Sequence, residues 1–388
     1  MVARQSGNMI ERALINVAGC RSRLDIVNMI PNELVLLLVL ISTLAPLLYI
    51  EKNKGIFLKR AERHISAKQA VHVVATPRIG GIPIAIGILS GALLSDNILF
   101  SGLLWTTLPI FLVGLFEDLQ TDTPPLLRIG VAALSALLAV FLLNIHITRI
   151  DVPGFDFLMT FTVVGIAFTI FASTGMTHAM NLIDGLNGLS SAVVIAVTSS
   201  FGLIAYKYGH SDLMGMNAII CVAFLSFMFV NFPKGKIFLG DAGAYSVGHL
   251  IAWNAVILLN REPDISAFAI LLVVLWPVTD TLFAMIRRFV TGVSVSHPDK
   301  LHYHHVLMRL VLLLSRGSIG KKEANPIGSI LSWPFIALPC IAGYFLAEEP
   351  SDAFFAVLFF VLAYVLSYHL LVRNALKFRR KRFNRQVH

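Results

Sequence analysis

Four polar clusters interrupt an otherwise apolar chain, and their residue types suit work on a phosphorylated substrate. They are Glu117 with Asp118, the NLIDGLNG run at 181–188, the FLGDAG run at 238–243 and the LHYHH run at 301–305. Clustered carboxylates attract a hard cation, and magnesium takes a few of them, keeps water and accepts phosphate oxygens as further ligands. Such an ion neutralises a diphosphate during phosphoryl transfer. Asp241 lies between Gly240 and Gly243, where it could hold that metal or cap a helix. Asn181, Asp184 and Asn187 are spaced by three, one face of a helical turn. Amides and a carboxylate there could pair with a base edge or ribose hydroxyls, or simply form a polar turn. His302, His304 and His305 fall in a long basic stretch. Zinc would want ligands at recurring spacing with a cysteine or acid nearby, so a cationic cradle for phosphate is the better functional reading. Taken singly, each cluster is also compatible with a solvated loop.

The elements that must position these residues are membrane helices. Of 388 residues 56% are hydrophobic and 14% charged. Apolar stretches recur at roughly the 20-residue length needed to span hydrocarbon as a helix. The expected fold is all-α, a polytopic integral membrane protein with eleven spans at 32–50, 79–95, 98–116, 126–146, 158–177, 188–206, 213–232, 244–260, 266–286, 327–347 and 353–372. The second, short and glycine-rich, is the weakest of them. A β-barrel would show short alternating segments instead. The organisation expected is an N-terminal tail (1–31), one transmembrane catalytic domain (32–372) and a basic cytoplasmic tail (373–388).

Loop charge orients the chain. Segments after odd-numbered spans, with the C-terminal tail, hold 24 of the 31 Lys and Arg; those after even-numbered spans hold three, Arg149, Lys207 and Arg261. The rich side is cytoplasmic by the positive-inside rule. Glu117, Asp118, Asp122, Asp184, Asp241 and the three histidines then share the cytoplasmic interface. An Asp at the bilayer centre costs roughly 2.5–3.5 kcal/mol, which favours that placement. Arg4, Arg12, Arg21 and Arg23 fall on the opposite side in this scheme, and a start at Met29 would remove the conflict. No cleaved signal peptide is expected, since 1–30 lacks an apolar core before a cleavage site. The basic residues of 373–385 suit a stop-transfer flank on anionic lipid rather than nucleic acid. Cys20, Cys221 and Cys340 show no metal or disulfide spacing. Asp280, near the inner end of the ninth span, is a functional suspect. Arg287 lies about 10 Å further along the axis, too far for a simple pair, so each needs another partner.

In these residues the chain resembles the polyprenyl-phosphate N-acetylhexosamine-1-phosphate transferases, from about Pro77 to Met308. It is most similar to the bacterial undecaprenyl-phosphate GlcNAc-1-phosphate branch (glycosyltransferase family 4) and more distantly to the phospho-MurNAc-pentapeptide translocases. The family's PRxGG stretch reads Pro77, Arg78, Ile79, Gly80, Gly81; its Asp-Asp pair reads Glu117, Asp118; its NLxDG run carries Asn181, Asp184 and Gly185. Asn231 and Phe238 match the positions that line the uridine pocket in relatives, and Asp241 matches the magnesium-binding Asp. The PxxD, RR and HxHH stretch matches Pro277, Asp280, Arg287, Arg288, His302, His304 and His305. Glu117 for Asp, His178 for Asn and Thr121 for Lys depart from one or another branch.

The resemblance implies transfer of HexNAc-1-phosphate from a UDP-sugar to undecaprenyl phosphate, with release of UMP, at the start of O-antigen or similar synthesis. It implies Mg2+, with Mn2+ as the substitute, on Asp241 and Asp118. Glu117, Asp118, Asp241, His302, His304 and His305 would be catalytic. Arg78, Asn181, Asp184, Asn187, Asn231, Phe238, Asp280 and Arg287 would bind substrates. The bacterial inner membrane is the expected location, a homodimer is kept open, and no nucleic-acid partner is expected. The rival is a transporter or lipid flippase without covalent chemistry, whose coupling acids usually sit at mid-membrane on broken helices.

Overall fold

The computed structural model describes residues 32–57, 76–119, 123–292, 299, 301–316 and 318–387, with side chains as far as 377. The 1–31 tail with Met29, and Thr121 and Asp122, lie outside the described residues. Within them every regular element is a helix: α1 Asn32–Lys52, α2 Gly81–Leu94, α3 Ile98–Asp118, α4 Pro125–Leu143, α5 Phe155–Met159, α6 Thr162–Ile183 and α7 Leu189–Lys207. The rest are α8 Ser211–Asn231, α9 Gly240–Arg261, α10 Ala267–Val273, α11 Leu275–Thr291, α12 Tyr303–Leu314, α13 Lys321–Phe345 and α14 Pro350–Val387. Among the described residues nine helices (α1, α3, α4, α6, α7, α8, α9, α13 and α14) are long and apolar enough to cross a bilayer. Lipid offers backbone groups no partners, so a spanning segment must satisfy them internally. The chain is a multi-pass membrane protein.

The helices pack around α9, of whose apolar window 83% is buried, against 17% in α14. Small residues let neighbours approach it closely. A Cβ on Gly114 of α3 would lie 2.5 Å from the Ala242 nitrogen, and one on Gly248 would lie 2.7 Å from Thr177 Cα of α6. Polar groups on the buried stretch answer one another: His249 Nε2 meets Thr106 at 3.1 Å, and Asn254 exchanges two amide hydrogen bonds with Asn217.

Two of the eleven expected spans differ from a regular crossing. The second is α2, only 14 residues. It nevertheless joins opposite sides, because Gly80 and Gly81 donate to Phe238 and Leu239, while Asn97 just beyond its other end donates to the Asp212 carbonyl. The ninth is broken into α10 and α11, bent by 84°. Pro277, third in α11, has no N–H and crowds the Val273 carbonyl four residues back. That carbonyl instead accepts the Cys340 thiol of α13 at 3.2 Å. The stretch 287–325, expected as a loop, contains α12. The last helix also continues through the basic 373–387 segment.

The connecting segments sort onto two sides. On one, Arg149 donates to the Glu262 and Ile265 carbonyls, Arg261 pairs with Asp212, and Lys207 pairs with Glu348. On the other, Lys236 pairs with Glu51, and all four polar clusters gather.

Candidate active site

The 76–80 segment runs as an extended strap beside 237–239. Phe238 donates to the Pro77 carbonyl at 2.9 Å, Gly80 returns a bond of 2.9 Å to Phe238, and Gly81 donates to Leu239 at 2.7 Å. The strap carries Arg78 to the start of α9. There Asp118, the last residue of α3, caps that helix: Oδ1 accepts the Asp241 N–H at 2.8 Å and Oδ2 the Ala242 N–H at 3.0 Å. These are donors that a helix start leaves without intrahelical partners. Gly240 makes the approach possible, with φ +79° and its Cβ position only 2.5 Å from Asp118 Oδ2.

Asp241, only 7% exposed, accepts the Arg78 guanidinium at 3.1 Å and the Asn181 amide at 2.9 Å, both on Oδ1. Asp118 and Asp241 thus stand directly behind Arg78 and Asn181, which line a cavity of about 1690 Å³. Asp184 and Phe238 line it too. Asp184 accepts the Ser190 hydroxyl at 2.7 Å, and burial pushes its carboxyl up to about 6. The donor set fits a hard divalent ion: two adjoining carboxylates, one already holding a guanidinium cation, and each oxygen with more than one lone pair. Among the described residues no three His, Cys, Asp or Glu converge as a complete cage. Magnesium asks for fewer, since water and substrate phosphates supply the remainder.

Several expected substrate contacts are committed elsewhere. Asn231 has both amide atoms on backbone, accepting Gly188 N–H at 2.6 Å and donating to Ile237 at 2.8 Å, so it fixes the pocket's shape rather than offering a free edge. Asn187 donates to the Pro233 carbonyl at 2.9 Å, and its own N–H is held by Asn325 of α13 at 2.8 Å. Asp280, 1% exposed, accepts His302 Nδ1–H at 2.7 Å, the Tyr303 N–H at 3.0 Å and the Tyr364 hydroxyl at 2.6 Å. It holds His302 in place and does not line the cavity. Arg287 turns to Asp299, the Leu301 carbonyl and the Tyr368 hydroxyl, so it too has a structural role. As the spacing required, Asp280 and Arg287 have separate partners. Arg288 lines the cavity instead.

The histidines also correct an expectation. Gly185 brings the NLIDG turn against α12, since a Cβ there would lie 2.4 Å from His304 Nε2 and 3.0 Å from His305 Cε1. Burial holds His304 well below the ordinary imidazole value and His305 down at about 4. Both are therefore neutral near pH 7 and offer hydrogen bonds, not charge. The cationic part of the cavity wall comes from Arg78, Arg128, Arg288, Arg309 and Lys321. Arg128, Arg309 and Lys321 were absent from the residues singled out in sequence. The signal for Arg128 was present: it is the single basic residue of the 117–128 stretch that follows the third expected span. Glu117 faces away from Asp118, accepting the Thr123 N–H at 3.0 Å and meeting Arg128 at 3.5 Å.

Comparison with known proteins places this arrangement. The model of the family described as Glycosyl transferase family 4 matches residues 100–259. A probable undecaprenyl-phosphate N-acetylglucosaminyl 1-phosphate transferase of Bacillus subtilis is 28% identical over 276 residues, covering 69% of this chain and 76% of the relative. An undecaprenyl-phosphate alpha-N-acetylglucosaminyl 1-phosphate transferase of Haemophilus influenzae is 26% identical over 317 residues, 76% of this chain and 84% of the relative. A decaprenyl-phosphate N-acetylglucosaminephosphotransferase of Mycolicibacterium smegmatis is 30% identical over 273 residues, 62% of this chain and 67% of the relative. The matched stretch contains Glu117, Asp118, the NLIDG turn and the Asp241 helix start, and the chain belongs to glycosyl transferase family 4.

Proposed function

We propose that the protein transfers HexNAc-1-phosphate, with GlcNAc or a related N-acetylated sugar, from a UDP-sugar to undecaprenyl phosphate. The reaction would run at the cytoplasmic face of the bacterial inner membrane and begin a cell-envelope polysaccharide. The observation that carries this reading is the gathering of Asp118, Asp241, Arg78 and Asn181 at one end of a cavity whose remaining walls are largely apolar. A soluble anion and a lipid can meet there.

An oxygen of the acceptor phosphate attacks the β-phosphorus of the nucleotide sugar. The bond from that phosphorus to the bridging oxygen breaks, and UMP leaves with the oxygen. A phosphate monoester has its second pKa near 6, so its dianion needs little base assistance and positioning dominates. Asp241, with Asp118 beside it, would hold Mg2+ (or Mn2+), which when bound supplies neutralising charge to the diphosphate. Arg78 keeps a guanidinium beside the same carboxylates. Phe238 offers a ring for the base, Asp184 a hydrogen-bonding carboxyl, and His302 and His305 imidazole nitrogens for sugar or phosphate oxygens.

Purified protein with UDP-GlcNAc, undecaprenyl phosphate and Mg2+ should release UMP, and a panel with GalNAc, FucNAc and QuiNAc donors should identify the sugar. Absence of UMP release with every donor would reject the reading. The transporter alternative is disfavoured by family membership and by the acids' location at one end of the helices rather than at mid-membrane. It would gain only if vesicles took up solute with no UMP formed.

A further inference from the structure

Among the described residues α14 is the least buried of the nine spanning helices, yet its inward face changes character along its length. In the half remote from the polar clusters, Ala353 and Val357 pack on Ala269, Leu272 and Leu275 of α10 and α11. Further along, the same face carries Tyr364, Ser367 and Tyr368, spaced by three and four. Both tyrosines are buried. An apolar interface does not need hydroxyls, and a buried one without a partner is costly. Here all three are bonded, and the bonds converge on one short segment, 301–303, and on Asp280 beneath it.

Tyr364 donates to Asp280 Oδ1 at 2.6 Å, the oxygen that also accepts the Tyr303 N–H at 3.0 Å. The other oxygen of Asp280 accepts His302 Nδ1–H at 2.7 Å. Tyr303 donates its own hydroxyl to Ser367 at 3.2 Å. Tyr368 accepts Arg287 at 2.9 Å and donates to the Leu301 carbonyl at 3.0 Å. The rings lock together as well: Tyr303 and Tyr364 are 5.0 Å apart between centroids, and Trp276 stands edge-on to them at 5.1 and 5.7 Å. Asp299, His302 and His305 of this stretch line the cavity, whereas Tyr303, Tyr364, Ser367 and Tyr368 stand off its wall. The helix therefore grips the histidine segment from behind. With Nδ1 committed to Asp280, His302 keeps Nε2 on the Asp299 side, 3.9 Å from that carboxylate.

We propose that Tyr364, supported by Ser367 and Tyr368, is a positioning residue for the transfer reaction: the hydroxyls of α14 hold Asp280 and the 301–303 backbone so that the His302 imidazole meets the cavity at a fixed angle. The helix lies outside residues 100–259, so the family match does not carry this role. The inference rests on the reaction proposed above, but the clamp itself can be tested without turnover. Phenylalanine at either tyrosine removes the oxygen and keeps the ring in the aromatic packing.

The test compares wild type, Tyr364→Phe, Tyr368→Phe and the lipid-facing control Leu366→Ala in nanodiscs, with each substrate varied while the other is saturating. Tyr364→Phe should lower kcat about 10-fold, the scale of an outer hydrogen-bond partner, with both KM values within about 2-fold of wild type. Tyr368→Phe should give a smaller loss of the same kind, and Leu366→Ala almost none. In a His302→Gln background Tyr364→Phe should cost less than about 2-fold more, since both changes break one chain of contacts. A loss that adds in full there, or one seen in KM with kcat unchanged, would overturn the inference. The second readout is solid-state NMR of 15N-histidine-labelled protein in bilayers. The His302 Nδ1–H resonance, identified by its absence in His302→Gln, should move in Tyr364→Phe and stay in place in Leu366→Ala. An unmoved resonance would overturn the clamp even where transfer runs normally. A moved resonance without turnover on any donor would uphold the clamp and reject only the reaction. Should Tyr364→Phe fail to fold, Tyr368→Phe carries the same comparison.

Discussion

Asp118 and Asp241 have the same chemistry but different tasks. Asp118 spends both oxygens on backbone N–H groups at the start of α9, whereas Asp241 takes two side-chain donors on one oxygen. Asp241→Asn should therefore abolish UMP release with Tm nearly unchanged. Asp118→Asn should lose activity and also about 1 kcal/mol of stability through the weakened cap, measurable by thermal unfolding in detergent. A second test concerns Asp280, which acts on the site through His302. In a double-mutant cycle, Asp280→Asn should cost about 10–100-fold in kcat, the usual scale for such outer partners. In a His302→Gln background it should cost little more, whereas independent effects would simply add. Residue identity was readable in sequence, but residue task was not. Nothing in the string of letters distinguishes an Asn that reads a base from one that, like Asn231, ties two backbone segments together. The neutral state of His304 and His305 was likewise hidden, because it follows from burial against Gly185 and not from their own spacing. His305, ordinarily near 6.5 and held at about 4 in the fold, takes up its proton more readily when unfolded. Its contribution to stability is complete above about pH 6.5 and declines as pH falls toward 4, on the order of 1–2 kcal/mol by pH 5. Unfolding midpoints should drop from pH 7 to pH 5 in wild type and drop less in His305→Gln.

At the scale of elements, the apolar runs were enough to place the helices, because hydrocarbon leaves a spanning backbone few options. The break between α10 and α11 was not read, although Pro277 was in view. A proline in a membrane helix can be tolerated when neighbours satisfy the freed carbonyl, and here the satisfying group is Cys340, 67 positions away in sequence. The amphipathic α12 was likewise lost in a stretch too polar at its ends to be read as a helix. Element geometry carries its own prediction at Gly240. Alanine there would need a left-handed backbone and would bring Cβ to 2.5 Å from Asp118 Oδ2. The backbone term alone is roughly 1–2 kcal/mol. Gly240→Ala should cut transfer more than about 10-fold, while helix content by circular dichroism stays at the wild-type value.

For the molecule as a whole, the two-sidedness first seen as a Lys and Arg imbalance is also present in the bonds between connecting segments. Lys236 and Asp264, both exposed, lie on opposite sides. Cysteines placed there, in a background lacking the native ones, should react with an impermeant maleimide from opposite faces of the membrane, with position 236 reached from the cytoplasm. In the proposed reaction phosphorus moves together with the sugar. The most direct measurement supplies UDP-GlcNAc, or the donor that proves active, carrying 32P in its β-phosphate and follows the label. Label recovered in the lipid fraction, one phosphorus per sugar and matched by unlabelled UMP, is the predicted result. Label retained in soluble UDP while the sugar reaches the lipid would contradict it.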